Sequence, residues 1–176
     1  MKLNINILYI MLSNIDLEEL AKHYKLPLIA VTMKDELPNQ LKNGNYIINL
    51  QSSSQGNGTH WTALKVINKQ TIYFDSFGLW PSEEIKEFVK TRDNTKLAFT
   101  TKEIQNYKSE NCGYFCLAFL LFLQNSKKNM YESANDFQNN FSNTTEDNDD
   151  ILKSFFRNCK NPPVQIKRLL KEKTFR

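Results

Sequence analysis

Hydrophobic spacing divides the chain into segments of different period. Leu17, Leu20, Ala21 and Tyr24, joined by Ile15, recur at helical intervals, so the spacing predicts an amphipathic helix over 13–24. Ser13 and Asp16 stand where a capping box would begin it, with Asp in place of the usual Glu, and Pro27 closes it. The apolar runs at 28–33 and 46–50 are too short for helices and read as strands, with Pro38 and Asn43-Gly44-Asn45 marking turns between them.

Residues 60–67 and 71–77 are two β-branched and aromatic runs separated by Asn68-Lys69-Gln70, a hairpin signal. With Asn68-Lys69 as a two-residue turn, Ile67 faces Gln70, Thr62 faces Asp75 and His60 faces Phe77. His60 and Asp75 then share a face as diagonal neighbours, and a slip of one residue would separate them. Apolar side chains on both faces predict strands covered on two sides. A helix over 81–90 has Glu83 and Glu84 in its first turn, and a strand candidate follows at 97–101. The apolar run from Tyr114 to Leu123 reads as a buried helix, with further helices at 130–141 and 149–158. In the basic tail 164–176, Ile166, Leu169 and Leu170 have helical spacing. The sum is an α+β fold, a central mixed sheet flanked by helices.

At 176 residues the chain suits a single domain, with residues 1–12 as an N-terminal extension and 130–176 as a C-terminal helical part. The apolar start behind Lys2 is broken by Asn4 and Asn6 and lacks a small-residue cleavage site, so it reads as a strand or extension rather than a signal peptide. Three cysteines argue against a disulfide framework and for a reducing, intracellular setting. Their spacing, with only His23 and His60 to add, is not that of a zinc site, and no metal is expected. The acidic run 146–150 lacks spaced oxygen ligands with a turn glycine and reads as a solvated loop and helix start. His23, between Lys22 and Lys25, reads as a solvated surface residue. No run is long enough to span a bilayer. A net charge of +4 permits contact of the basic tail with DNA or another polyanion without demanding it, and a docked or frayed helix is the simpler reading.

The candidate chemistry centres on the stretch from Gln105 to Cys116, a polar loop running into the buried helix. Cys112 falls at the helix start, where free N–H groups and the helix dipole favour a thiolate. Two readings stand: a nucleophile, or one more small buried residue. Thiol catalysis also needs an imidazole, a group to orient it and donors for an oxyanion. His60 follows a Gly-rich loop at a strand start and is the better base of the two histidines. Asp75 can reach its face. Gln105, seven residues before Cys112, carries an amide able to meet an oxyanion, and the Cys112 N–H is a second donor. Each residue also has a structural reading, as core His, turn Asp or loop Gln. Cys116, one turn further on, is expected to be buried and unreactive.

The order His60-Trp61, Asp75 in Tyr-Phe-Asp-Ser-Phe-Gly, Gln105, and Asn111-Cys112-Gly113-Tyr114-Phe115-Cys116 resembles the adenovirus-type maturation proteases and the broader group that includes SUMO and ubiquitin-like deconjugases. Asp75 stands where adenovirus-type enzymes use Glu, and Asn111 replaces the Asp that often precedes the nucleophile in deconjugases. The resemblance implies a cysteine endopeptidase of a DNA virus or virus-like element, cutting capsid or core precursors at glycine-containing sites, with His60, Asp75, Cys112 and Gln105 catalytic. It places Trp61 and Gly113 in substrate binding, Trp61 walling a narrow channel that admits glycine. It implies no bound cofactor, leaves an activating peptide or DNA open, and suggests a monomer, free of membrane, in the infected cell and the virion. The rivals are a deconjugase, an acyltransferase with the same triad, and a non-catalytic DNA- or capsid-binding module.

Overall fold

A computed structural model describes residues 11–173; the expected extension through residue 10 and the end of the tail lie outside the described residues. The elements run α1 (Asn14–His23), β1 (Ala30–Met33), β2 (Gly44–Asn49), β3 (Trp61–Ile67), β4 (Gln70–Phe74), α2 (Glu83–Lys90), β5 (Lys96–Phe99), α3 (Cys112–Asn125), α4 (Met130–Asn139), α5 (Asn148–Ser154) and α6 (Val164–Lys171). The fold is α+β. Its sheet has five strands in the order β1-β2-β3-β4-β5, mixed because the outer pairs are parallel and the inner pairs antiparallel.

The predicted capping box is present: Ser13 Oγ accepts from Asp16 N at 3.1 Å and Asp16 Oδ2 accepts from Ser13 N at 2.9 Å. The predicted hairpin register is present too, with Ile67 opposite Gln70 and Ala63 opposite Phe74. Asn68 in the turn takes a left-handed conformation, φ 55°, which Asn tolerates better than most residues. One expectation needs correction. Regular pairing stops at Ala63 and Phe74, so His60 and Asp75 lie just beyond the strand ends rather than within them. The cause is a turn at Asp75–Gly78, closed by Gly78 N–H donating to Asp75 O at 2.8 Å. Gly78 has φ +70°, and a Cβ there would stand 2.5 Å from Thr101 O, so only glycine fits the turn.

β3 is central and covered on both faces. Ala63 and Trp61, with Ile72 and Phe74 of β4, face α1, α3 and the C-terminal helices; Leu64 and Val66, with Tyr73, face α2 through Ile85, Phe88 and Val89. Phe74 stacks on Phe119 of α3 at 4.4 Å, and Phe137 of α4 meets both edge-on. Burying each such side chain contributes about 1.5–3 kcal/mol. The consequence for function is that α3 is clamped against β3, which fixes the helix start relative to His60. The tail helix α6 is docked, not frayed: Ile166 and Leu169 are fully buried, and Tyr114 donates its hydroxyl to Gln165 O at 2.9 Å. Helix α5 ends at Ser154, earlier than its apolar spacing predicts. No helix among the described residues is long and apolar enough to cross a membrane.

Candidate active site

Helix α3 begins at Cys112, with Asn111 as its N-cap residue, so the thiol sits among the unpaired N–H groups of the first turn. Trp61 N–H, the first donor of β3, points at Cys112 Sγ over 3.4 Å. Gly113 follows in the first turn of α3. A Cβ there would come within 3.1–3.3 Å of Leu12 and Leu17, so its missing side chain lets α3 press on α1.

His60 donates from Nε2 to Asp75 Oδ1 at 2.8 Å, which leaves Nδ1 for the thiol; the ring lies within hydrogen-bonding reach of Cys112. Phe77 stacks on the imidazole at 4.8 Å and 30°. Asp75 is fully buried, and the same Oδ1 also accepts from Phe77 N at 2.8 Å, so the turn that ends β4 fixes the carboxylate. Its Oδ2 has no partner among the described residues. Burial disfavours the imidazolium, but hydrogen bonds to Asp75 and Cys112 and their charges outweigh it, raising the His60 pKa to about 9.

Gln105 is 1% exposed and its amide is held at both ends. Ser76 Oγ donates to Oε1 at 2.5 Å, and Nε2 donates to Ser109 O at 2.6 Å. Ser76 O also accepts from Ile104 N and Gln105 N, both at 2.9 Å. One amide hydrogen of Gln105 is thus used by Ser109, and the other remains. Ser76 is a residue that sequence reasoning passes over, because a Ser after a strand-closing Asp reads as a turn former. Phe77 escapes for a similar reason, although the register that sets it opposite His60 contains the signal.

Cys112, His60 and Gln105 line one cleft of about 340 Å³ with Gly58, Thr59, Phe77, Tyr107 and Ser109. The loop delivering His60 is itself braced: Asn49 Oδ1 accepts from Gln51 N and Thr59 N, and Gln51 Oε1 accepts from Gly58 N at 2.7 Å. Trp61 and Gly113 are not brought into this lining. Trp61 is 2% exposed, donates its indole N–H to Leu12 O at 2.7 Å, and borders a second cavity of about 240 Å³ with Val31, Met33 and Gly56. His23 is exposed as expected but not solitary, for its Nε2 lies 3.4 Å from Cys159 Sγ. Cys116 is fully buried, and burial first, then the charges of Cys112 and Asp75, push its thiol pKa well up. Among the described residues no group of three or more His, Cys, Asp or Glu is placed to hold a metal.

A thiol at a helix start, an imidazole held by a buried carboxylate and an amide lining the same cleft form an arrangement suited to acyl transfer. No family model and no curated protein matches the chain. Among solved structures, it is similar to the selenomethionine crystal structure of ASFV pS273R protease, with a TM-score of 0.35 and 20% identity over 53% of this chain. The match covers 42% of that protein's chain, less than half its length.

Proposed function

We propose that the protein is a cysteine endopeptidase with Cys112 as nucleophile. The observation that carries this reading is the meeting of His60, held by Asp75 at 2.8 Å, with the thiol at the start of α3 in the lining of one cleft. In acylation, the Cys112 thiolate attacks the peptide carbonyl and the C–N bond breaks. The His60 imidazolium gives its Nδ1 proton to the leaving amine. In deacylation, water attacks the thioester, His60 takes the water proton, and the carboxylic acid product leaves with Cys112 regenerated. The Cys112 N–H and the remaining Gln105 amide hydrogen receive the oxyanion, and Asp75 keeps His60 in the productive tautomer.

By the motif resemblance, the substrates are precursor proteins of a DNA virus or virus-like element, cut at small, glycine-containing sites during maturation in the infected cell or the particle. Trp61 and the cavity beside it are the region where the residues before the scissile bond would be selected. Activation by a peptide or DNA belongs to the same family expectation, and the exposed Lys167, Arg168 and Lys171 of α6 are the residues a polyanion would meet. The test is incubation with a library of glycine-containing peptides, with and without DNA, and mapping of cuts by mass spectrometry. Cuts that disappear with Cys112→Ala support the reading; cuts that persist exclude it. A diglycine-tailed modifier run alongside tells a deconjugase from an endopeptidase.

A further inference from the structure

The segment between β5 and α3, which carries Gln105 and ends at Cys112, has no regular structure of its own, and it is fastened at short intervals to the C-terminal third. Lys102 Nζ donates to Phe141 O at 2.7 Å, Asn148 Nδ2 to Ile104 O at 2.9 Å, and Asn106 Nδ2 to Thr145 Oγ1 at 3.0 Å. Nearest the site, Ser109 Oγ donates to Asp149 Oδ1 at 2.9 Å, and Asn111 Nδ2 donates to Glu172 Oε2 at 3.3 Å.

Ser109 is the hub of this arrangement. Its hydroxyl gives its single proton to Asp149 and accepts from Asn111 N at 3.2 Å, while its carbonyl accepts from Gln105 Nε2 at 2.6 Å. The Gln105 amide and Asn111, whose N–H is taken by Ser109 Oγ and which leads directly into the Cys112 N–H, therefore flank one serine, and that serine is held by one carboxylate of α5.

We propose that Asp149 is a positioning residue for the reaction: through the Ser109 hydroxyl it sets the Gln105 amide and the helix start in register with each other. This rests on the catalytic reading above and gives the C-terminal third a role in it. Oxyanion donors must be placed before the charge develops, and a displacement near 1 Å costs about a hundredfold in rate. Asp149 lines no part of the cleft, so its effect passes through Ser109 and the neighbouring Asn111 side chain.

The experiment is a double-mutant cycle on the full chain with a peptide that the wild type cleaves. Asp149→Ala and Ser109→Ala each lower kcat by about ten- to a hundredfold with KM little changed, because the lost interaction serves the transition state. The double variant is no slower than the worse single one, since both remove the same link. Asp149→Asn, which keeps an Oδ1 acceptor, recovers most of kcat. Wild-type kcat in Asp149→Ala, additive losses, or no recovery in Asp149→Asn overturns the proposal. Should Asp149→Ala fail to fold, Ser109→Ala and Asp149→Asn decide by the same criteria. A wild-type protein without any Cys112-dependent hydrolysis overturns the catalytic reading and the proposal together, whereas full activity in Asp149→Ala overturns the proposal alone.

Discussion

His60 Nε2 and Asp75 Oδ1 meet at 2.8 Å just beyond the ends of two paired strands, where β3 has not begun and β4 has already turned. The contact leaves Nδ1 free of the carboxylate and, with Cys112 nearby, holds the His60 pKa at about 9, above the ordinary 6.5. A raised pKa means that the folded state binds the proton more tightly than the unfolded chain. The stability this contributes is complete below pH 6.5 and is lost as pH rises through about 9. Turnover should follow on the alkaline side, with kcat/KM falling near pH 9 as the imidazolium that protonates the leaving amine is lost. In Asp75→Asn the descending limb moves toward neutral pH and kcat drops; pH–rate profiles of the two proteins check this. An unmoved limb in Asp75→Asn would show that the carboxylate does not control His60.

Gln105→Ala removes one oxyanion donor and should cost about two to three decades in kcat. Ser76→Ala leaves that amide in place but frees its oxygen end, and its effect should be smaller, about tenfold, with the fold retained. Steady-state kinetics with circular dichroism separates the two. A Ser76→Ala loss as large as that of Gln105→Ala would mean that Ser76 does more than hold the amide.

The three cysteines should differ in reactivity. Cys112, although only 2% exposed, borders the cleft at the start of α3 and accepts Trp61 N–H, Cys116 is sealed in the core with a raised pKa, and Cys159 is half-buried beside His23. Iodoacetamide followed by peptide mapping should modify Cys112 first, Cys159 more slowly and Cys116 only after unfolding. Faster labelling of Cys159 than of Cys112 would count against an activated thiol in the cleft.

Gly78→Ala should destabilise the protein by about 2–3 kcal/mol, the combined cost of a left-handed alanine and a crowded turn. The backbone carbonyl of Thr101, 2.5 Å from the added Cβ, has no flexible end to yield. Because the same turn carries Asp75, activity should fall beyond what the lowered Tm explains. Thermal melts and kinetics at a temperature well below both Tm values measure the two effects separately.

Local signals account for what the sequence displays. The Asn68-Lys69 turn dictates the hairpin register, and that register brings His60 and Asp75 to one face; the polar-to-apolar change at Cys112 marks the start of α3. Less legible is everything that depends on chain distance. Ser109 meets Asp149 forty residues on, and Gln105 is clamped by Ser76 twenty-nine residues back, through hydrogen bonds that leave no periodic trace. Trp61 illustrates a different gap. Its place in the core follows from β3 alternation, but which cavity the indole borders depends on how the loop after β2 folds over it. The helical spacing in 164–176 predicts α6, while its docking on α1 depends on Gln165 reaching Asp16 at 3.0 Å across the fold.

The central claim is that Cys112 breaks peptide bonds with His60 as its base. Its most direct test is the rate of cleavage of one mapped peptide by the wild type, Cys112→Ala and His60→Ala, with folding of each verified by circular dichroism. The wild-type rate should fall to background in both folded variants, with an acyl-enzyme thioester on Cys112 trapped by rapid acid quench of the wild type. Turnover that survives in folded Cys112→Ala would contradict the claim.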